Sequence, residues 1–142
     1  MKVTVSRKAH FNAAHRLYRK DWSDVKNNLV FGKCNNPNFH GHNYELIASV
    51  TGEIDQETGY VIDVKDLKDI IKSEVEDAFD HKNLNIEVPE FNELNPTAEN
   101  IVVVIYNKIK SKLELSLESV SYTHLTLPTT LCMCRSRWSP EH

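Results

Sequence analysis

The stretch His40-Gly41-His42-Asn43-Tyr44-Glu45-Leu46-Ile47-Ala48-Ser49-Val50-Thr51 decides how the rest of the chain is read. Tyr44, Leu46, Ala48 and Val50 alternate with more polar neighbours, which predicts a half-buried strand over Tyr44 to Thr51. If the extended backbone begins at His40, both imidazoles leave the same face, because strand side chains repeat every second residue. Two ring nitrogens on one face can share a metal ion, and Gly41 keeps the opposite side open. Just upstream, Cys34-Asn35-Asn36-Pro37-Asn38-Phe39 is a turn-rich run that can fold Cys34 back over the histidines.

Toward the N-terminus, Val3, Val5, Ala9 and Phe11 share odd parity, with polar residues between them. They predict a first strand running into the segment His10 to His15. His15 has the parity of Phe11 and Ala13 and so points inward with them. A lone inward histidine reads as structural. Beside His40 and His42 it completes a set of three imidazoles, the donor set of a catalytic zinc with an open fourth position. Residues 18–39 read as a long irregular loop holding Asp21-Trp22-Ser23-Asp24 and Asn27-Asn28. A loop this long in a small domain is commonly functional.

Toward the C-terminus, Gly52 to Gly59 reads as a polar connection to a short strand, Tyr60 to Ile62. Val64, Leu67, Ile71, Val75 and Ala78 then form one apolar helical face, with Asp63 as its N-cap and an end near Phe79. Asp80-His81 opens the loop Asp80 to Asn85. Adjacent residues do not face each other in a regular helix or strand, so an Asp80–His81 couple requires irregular backbone at this boundary. From spacing alone the pair reads as a helix end in which His81 complements the dipole. A second helix starts around Asn95-Pro96-Thr97-Ala98-Glu99, capped either by Asn95 with Pro96 at N1 or by Thr97. Its buried face is Ala98, Ile101, Val102, Ile105, Ile109 and Leu113.

The 142 residues suit one domain, and a chain with 40% hydrophobic and 26% charged residues can fold as an ordinary globular protein. No apolar run approaches the roughly 20 residues of a membrane helix, and the N-terminus lacks a signal-peptide core. Of the three cysteines, Cys34, Cys132 and Cys134, only Cys34 precedes Ser119, so the expected compartment is a reducing cytoplasm. Residues 1–34 hold eight lysines and arginines against Asp21 and Asp24, a net +6, while the whole chain is −3 and the remainder therefore −9. The positive segment holds the candidate chemistry and suits a small polyanionic substrate; the plainer alternative is a solvated basic surface. An acidic chain without a basic-aromatic motif argues against nucleic acid.

Taken together, Phe11-Asn12-Ala13-Ala14-His15-Arg16-Leu17, Phe31 to Asn38, His40 to Tyr44, Gly52-Glu53-Ile54-Asp55, Asp80-His81-Lys82-Asn83-Leu84 and Pro96-Thr97-Ala98-Glu99-Asn100 resemble the 6-pyruvoyltetrahydropterin synthase family, which includes the bacterial 6-carboxytetrahydropterin synthases. The resemblance runs from about Val3 to Ser119. It implies an α+β tunnelling fold, an antiparallel sheet with two helices on one face, assembled as a homotrimer or hexamer with active sites at subunit interfaces. The implied substrate is 7,8-dihydroneopterin triphosphate. By motif match His15, His40 and His42 bind Zn2+, Cys34 is the proton-abstracting base, and Asp80 with His81 forms a second proton-transfer couple. Thr97 and Glu99 match the loop that helps hold the pterin. Loss of triphosphate gives 6-pyruvoyltetrahydropterin; in the carboxy branch, tied to queuosine, the side chain leaves as acetaldehyde and 6-carboxytetrahydropterin remains. Two readings from other classes are a different zinc lyase or hydrolase using metal-bound water, and a non-catalytic pterin-binding module.

The tail departs from the family. After Ser119 the family has two closing strands with a pterin-anchoring glutamate, whereas this chain reads Val120-Ser121-Tyr122-Thr123-His124-Leu125-Thr126-Leu127-Pro128, then Cys132 to His142. Residues 1–119 are expected to be the pterin synthase domain, short of its closing hairpin. Residues 120–142 resemble a translated sequencing-adapter oligonucleotide and are expected to be non-native and disordered. The rival is a divergent tail with Cys132 and Cys134 as soft metal ligands.

Overall fold

Alternation sustained on both sides of the 16–39 connection makes a long two-stranded ribbon. The computed structural model describes the backbone of residues 1–116 and 122–126 and the side chains of residues 1–113. β1 (Lys2–His15) and β2 (His40–Glu53) pair antiparallel from Lys2↔Glu53 to His15↔His40. β2 thus runs past both ends of the predicted Tyr44 to Thr51. Odd positions of β1 lie opposite even positions of β2, so Ala9, Phe11 and Ala13 share the buried face with Tyr44, Leu46, Ala48 and Val50. Phe11 stacks on Tyr44 with ring centroids 4.7 Å apart. On the outer face Thr4–Thr51 and Ser6–Ser49 hydroxyl pairs bridge the strands at 2.8 and 2.7 Å. A one-residue slip would send every one of these side chains to the wrong face, which is why the register is unambiguous.

The connection is not irregular throughout. Asp24–Phe31 is a helix, α1, capped by the Ser23 hydroxyl, which accepts from the Lys26 N–H, and Gly32–Asn35 is a 3-10 turn. Periodicity misses α1 because it has no apolar core face: Val25 and Leu29 are exposed. Side-chain amides hold it instead. Buried Asn27 accepts the Arg19 N–H at 2.8 Å and donates to the Arg19 carbonyl at 2.9 Å.

Residues 60–62 likewise form no strand. Asp55 Oδ1 accepts from the Glu57 and Thr58 N–H groups and the Thr58 hydroxyl, and Gly59 takes φ 77°. This side-chain-closed turn leaves Tyr60 to Ile62 without a strand partner, although Ile62 is still buried in the core.

The predicted helix is α2 (Val64–Ile71), continued by a π-helical turn (Lys72–Glu76) and α3 (Asp77–Phe79), with Asp63 Oδ1 accepting the Lys65 N–H. Its buried residues are Leu67, Ile71, Val75 and Phe79; Val64 is exposed and Ala78 only partly buried. Four-residue spacing overruns a 3.6-residue turn, and the wider π turn brings the stripe back to one face. β3 (Lys82–Asn83) then pairs parallel with β1 at Ala13 and Ala14, followed by α4 (Leu84–Glu87).

Helix α5 (Ala98–Ser116) is capped by Thr97, whose hydroxyl accepts the Asn100 N–H, so of the two possible caps Thr97 is the one used. Ile101, Ile105, Ile109 and Leu113 are buried, with Ala98 and Val102 partly so, and they close the core against α2 and the inner face of the sheet. β4 (Tyr122–Thr126) pairs antiparallel with β2 over Thr51 to Ile47, giving a mixed sheet of order β3-β1-β2-β4. β4 covers this edge of β2 from Ile47 to Thr51. The rest of the tail, including Cys132 and Cys134, lies outside the described residues.

Candidate metal centre

The antiparallel register alone brings three distant histidines together. His15 ends β1, His40 begins β2 opposite it, and His42 follows on the same face. One ring nitrogen from each lies within 4.8 Å of the other two, the only such group of metal-capable side chains among the described residues. Ring centroids are 4.6, 5.1 and 4.9 Å apart for the pairs His15–His40, His15–His42 and His40–His42.

The arrangement fits a metal ion on its own chemistry. His15 Nδ1 donates to the Pro96 carbonyl at 2.8 Å. A carbonyl only accepts, so the proton sits on Nδ1 and the Nε2 lone pair is left bare. His15 Nε2 is buried without a hydrogen-bond partner. A metal-ligating histidine characteristically gives its other N–H to such a carbonyl, which fixes its tautomer. Burial holds the His15 imidazole down to about 4, against the smaller opposite effect of the Pro96 bond and reinforced by His40 and His42. Burial also lowers His40 and His42. All three are therefore neutral near pH 7, the form that ligates.

The same shift has a stability consequence for the metal-free protein. His15 in the fold binds its proton more weakly than in the unfolded chain, so the unfolded state is protonated first as pH falls below about 6.5. Chelator-treated protein should lose roughly 2–3 kcal/mol from this group between about pH 6.5 and 4. Urea melts of wild type and His15→Gln across that range check it: equal pH slopes for the two would refute it.

Cys34 sits buried in the 3-10 turn, and its carbonyl accepts the Leu17 N–H at 2.8 Å, which ties the turn to the chain two residues beyond His15. Thr97 spends its hydroxyl on capping α5, while Glu99 is exposed in the first turn of that helix. Their loop joins the centre through the Pro96 carbonyl. Nothing in the side-chain pattern marks that carbonyl; a backbone group carries no sequence signature.

Asp80 and His81 do form a couple. His81 takes φ 58°, the irregular backbone such a pair requires, and its Nδ1 lies 2.8 Å from Asp80 Oδ2. Asn12 clamps both: its N–H donates to Asp80 Oδ1 at 2.7 Å and its carbonyl accepts the His81 N–H at 2.6 Å. The Asn12 bond, with His81 beside it, holds the Asp80 carboxyl below its ordinary range. His81 is exposed and lines an open groove of about 630 Å³ with Asn12, Ala14, Gly41, His42 and Asn43. His42 of the imidazole trio thus borders the same groove.

A family model for 6-pyruvoyl tetrahydropterin synthase matches residues 4–135. The chain belongs to this family. The 6-pyruvoyl tetrahydrobiopterin synthase of Homo sapiens is 45% identical over 113 residues, covering 80% of this chain and 78% of that protein. The structure of the Caenorhabditis elegans 6-pyruvoyl tetrahydropterin synthase superposes with a TM-score of 0.75 at 40% identity, over 78% of this chain and 79% of that one. The 6-carboxy-5,6,7,8-tetrahydropterin synthase of Haemophilus influenzae is more distant, 29% identical over 90% of this chain and 95% of that protein. The architecture above is thus the tunnelling fold of the 6-pyruvoyl tetrahydropterin synthases, and the family match extends beyond Ser119.

Proposed function

We propose that this protein is a zinc-dependent lyase that converts 7,8-dihydroneopterin triphosphate to 6-pyruvoyltetrahydropterin with loss of triphosphate. The observation that carries the reading is the neutral trio His15, His40 and His42, with a bare lone pair on buried His15 Nε2, in a chain 45% identical to the human synthase. An all-imidazole donor set suits zinc. When bound, zinc supplies a Lewis acid that polarises the substrate's side-chain oxygens and acidifies the neighbouring C–H bonds. Cys34 accepts one of those protons. His81, oriented by Asp80, moves a second. Thr97 and Glu99 border the pterin. His81, oriented by Asp80, borders one groove with His42, and we place that groove at a subunit interface of a trimer or hexamer. Among the described residues no helix is long and apolar enough to cross a membrane, and we place the enzyme in the cytoplasm, where Cys34 would stay reduced.

The rival product is 6-carboxytetrahydropterin with acetaldehyde, from the same residues; the greater likeness to the pyruvoyl enzyme favours the first product. On the adapter-like sequence of the tail, and although the family model reaches residue 135, we further propose that the native sequence ends near Ser119. The test incubates the chain as written, and a version carrying a family-like closing hairpin after Ser119, with dihydroneopterin triphosphate. Products are identified by mass. The expected product is 6-pyruvoyltetrahydropterin, formed faster by the grafted protein. Acetaldehyde and the carboxy product would replace the assignment, and equal rates would make the tail functional.

A further inference from the structure

The four residues after the metal ligand His15 leave the sheet, yet each backbone N–H in Arg16–Arg19 is held by a different part of the chain. Arg16 N–H donates to Asn85 Oδ1 at 2.8 Å, and the Asn85 amide returns a bond to the Arg16 carbonyl at 2.9 Å. Leu17 N–H goes to the Cys34 carbonyl, Tyr18 N–H to Asn95 Oδ1 at 3.3 Å and Arg19 N–H to Asn27 Oδ1. With its backbone fixed on both sides by one amide, Arg16 has little freedom in where its side chain starts.

That side chain reaches the Cys34 turn. Arg16 Nε donates to both the carbonyl and the Oδ1 of Asn35, at 2.9 and 3.1 Å, and the guanidinium packs over the Tyr18 ring at 4.3 Å. Asn35 is buried and is itself held from the other side, its amide donating to Asn28 Oδ1 at 2.7 Å. Asn28 belongs to α1. A continuous line of hydrogen bonds therefore runs from the strand end that carries His15, through Arg16 and Asn35, into the helix preceding the Cys34 turn. The turn lies outside the sheet and is tied to the strand end by the Leu17–Cys34 backbone bond. A proton acceptor misplaced by about 1 Å can cost 100-fold in rate.

We propose that Arg16, acting through buried Asn35, is a positioning residue that holds the Cys34 turn against the strand end that carries His15. Lysine cannot replace it: an ammonium on a flexible stem has no donor at the Nε position and no planar group to lie on Tyr18. The inference rests on the role given to Cys34 in the proposed function, and part of its test is independent of turnover.

The experiment compares wild type, Arg16→Lys and Asn35→Ser, each in the Cys34 and Cys34→Ala backgrounds, with zinc content measured for all. Arg16→Lys should lower kcat about 10–100-fold with KM within about twofold and about one zinc per chain. In the Cys34→Ala background the same change should cost no more than about twofold, because residues acting as a unit are not additive. Iodoacetamide should modify Cys34, buried in the wild type, at least about tenfold faster in both single variants, as expected when a buried thiol becomes accessible. Equal rate losses in both backgrounds would overturn the proposal. So would an unchanged alkylation rate, even if the wild type proved inactive on the triphosphate and the functional reading failed. Loss of zinc or of cooperative unfolding in both single variants would assign Arg16 to stability alone.

Discussion

Cys34→Ala should bind about one zinc per chain, keep its fold, and turn over dihydroneopterin triphosphate 10²–10⁴-fold more slowly, the range typical for a positioned proton acceptor. The fold should survive because the link between the turn and the chain beyond His15 is a backbone bond, Leu17 N–H to the Cys34 carbonyl, which alanine keeps. Removing one buried sulfur costs about 1 kcal/mol, well short of a domain's total stability. The zinc should survive because the three ring nitrogens within 4.8 Å of one another come from His15, His40 and His42. The result separates the readings. A hydrolase working through metal-bound water keeps much of its activity in this variant. Unchanged turnover, or side-chain protons that still exchange with solvent, would remove Cys34 from the mechanism.

The His40→Ala/His42→Ala double variant should lose essentially all zinc and all measurable turnover. His15 alone, held by Pro96, offers one nitrogen, and a tetrahedral zinc site needs three protein ligands plus an open position. The stability readout is independent of activity. A metal that binds only the folded state raises stability with its concentration, so a chelator should lower the Tm of wild type and leave the double variant unmoved. Both replacements lie near the end of the ribbon, on partly buried residues, so the core formed by Phe11, Tyr44 and Leu46 is left intact. A double variant that retains full zinc and a chelator-sensitive Tm would eliminate the trio as the metal site.

The two strands, the helix starting after Asp63 and the stripe Ile101, Ile105, Ile109 and Leu113 were legible because each buries a face whose period matches its backbone. The same signal failed where burial does not organise the segment. Helix α1 is held by Asn27 and by the Ser23 cap, and residues 60–62 are governed by the Asp55 turn. Side-chain amide clasps such as Asn85 on Arg16 leave no periodic trace. Their partners lie 69 residues apart, and any polar loop contains asparagines. The Asp80–His81 couple was a matter of backbone: spacing favours a plain helix end, and only the positive φ of His81 turns its ring onto Asp80.

Parity and residue type in the chain were sufficient to put His40 and His42 on one face, to give His15 the matching parity, and to limit the ligand chemistry to imidazole. They could not supply the pairing Ala13↔His42 and His15↔His40, which depends on how two strands separated by the 16–39 connection align. That alignment came from the tertiary structure, through the Phe11–Tyr44 stack and the hydroxyl pairs on the reverse face. The proton state of His15 was decided there too. Its tautomer follows from the carbonyl of Pro96, 81 residues away, and its neutrality follows from burial, neither of which is a local property of the sequence.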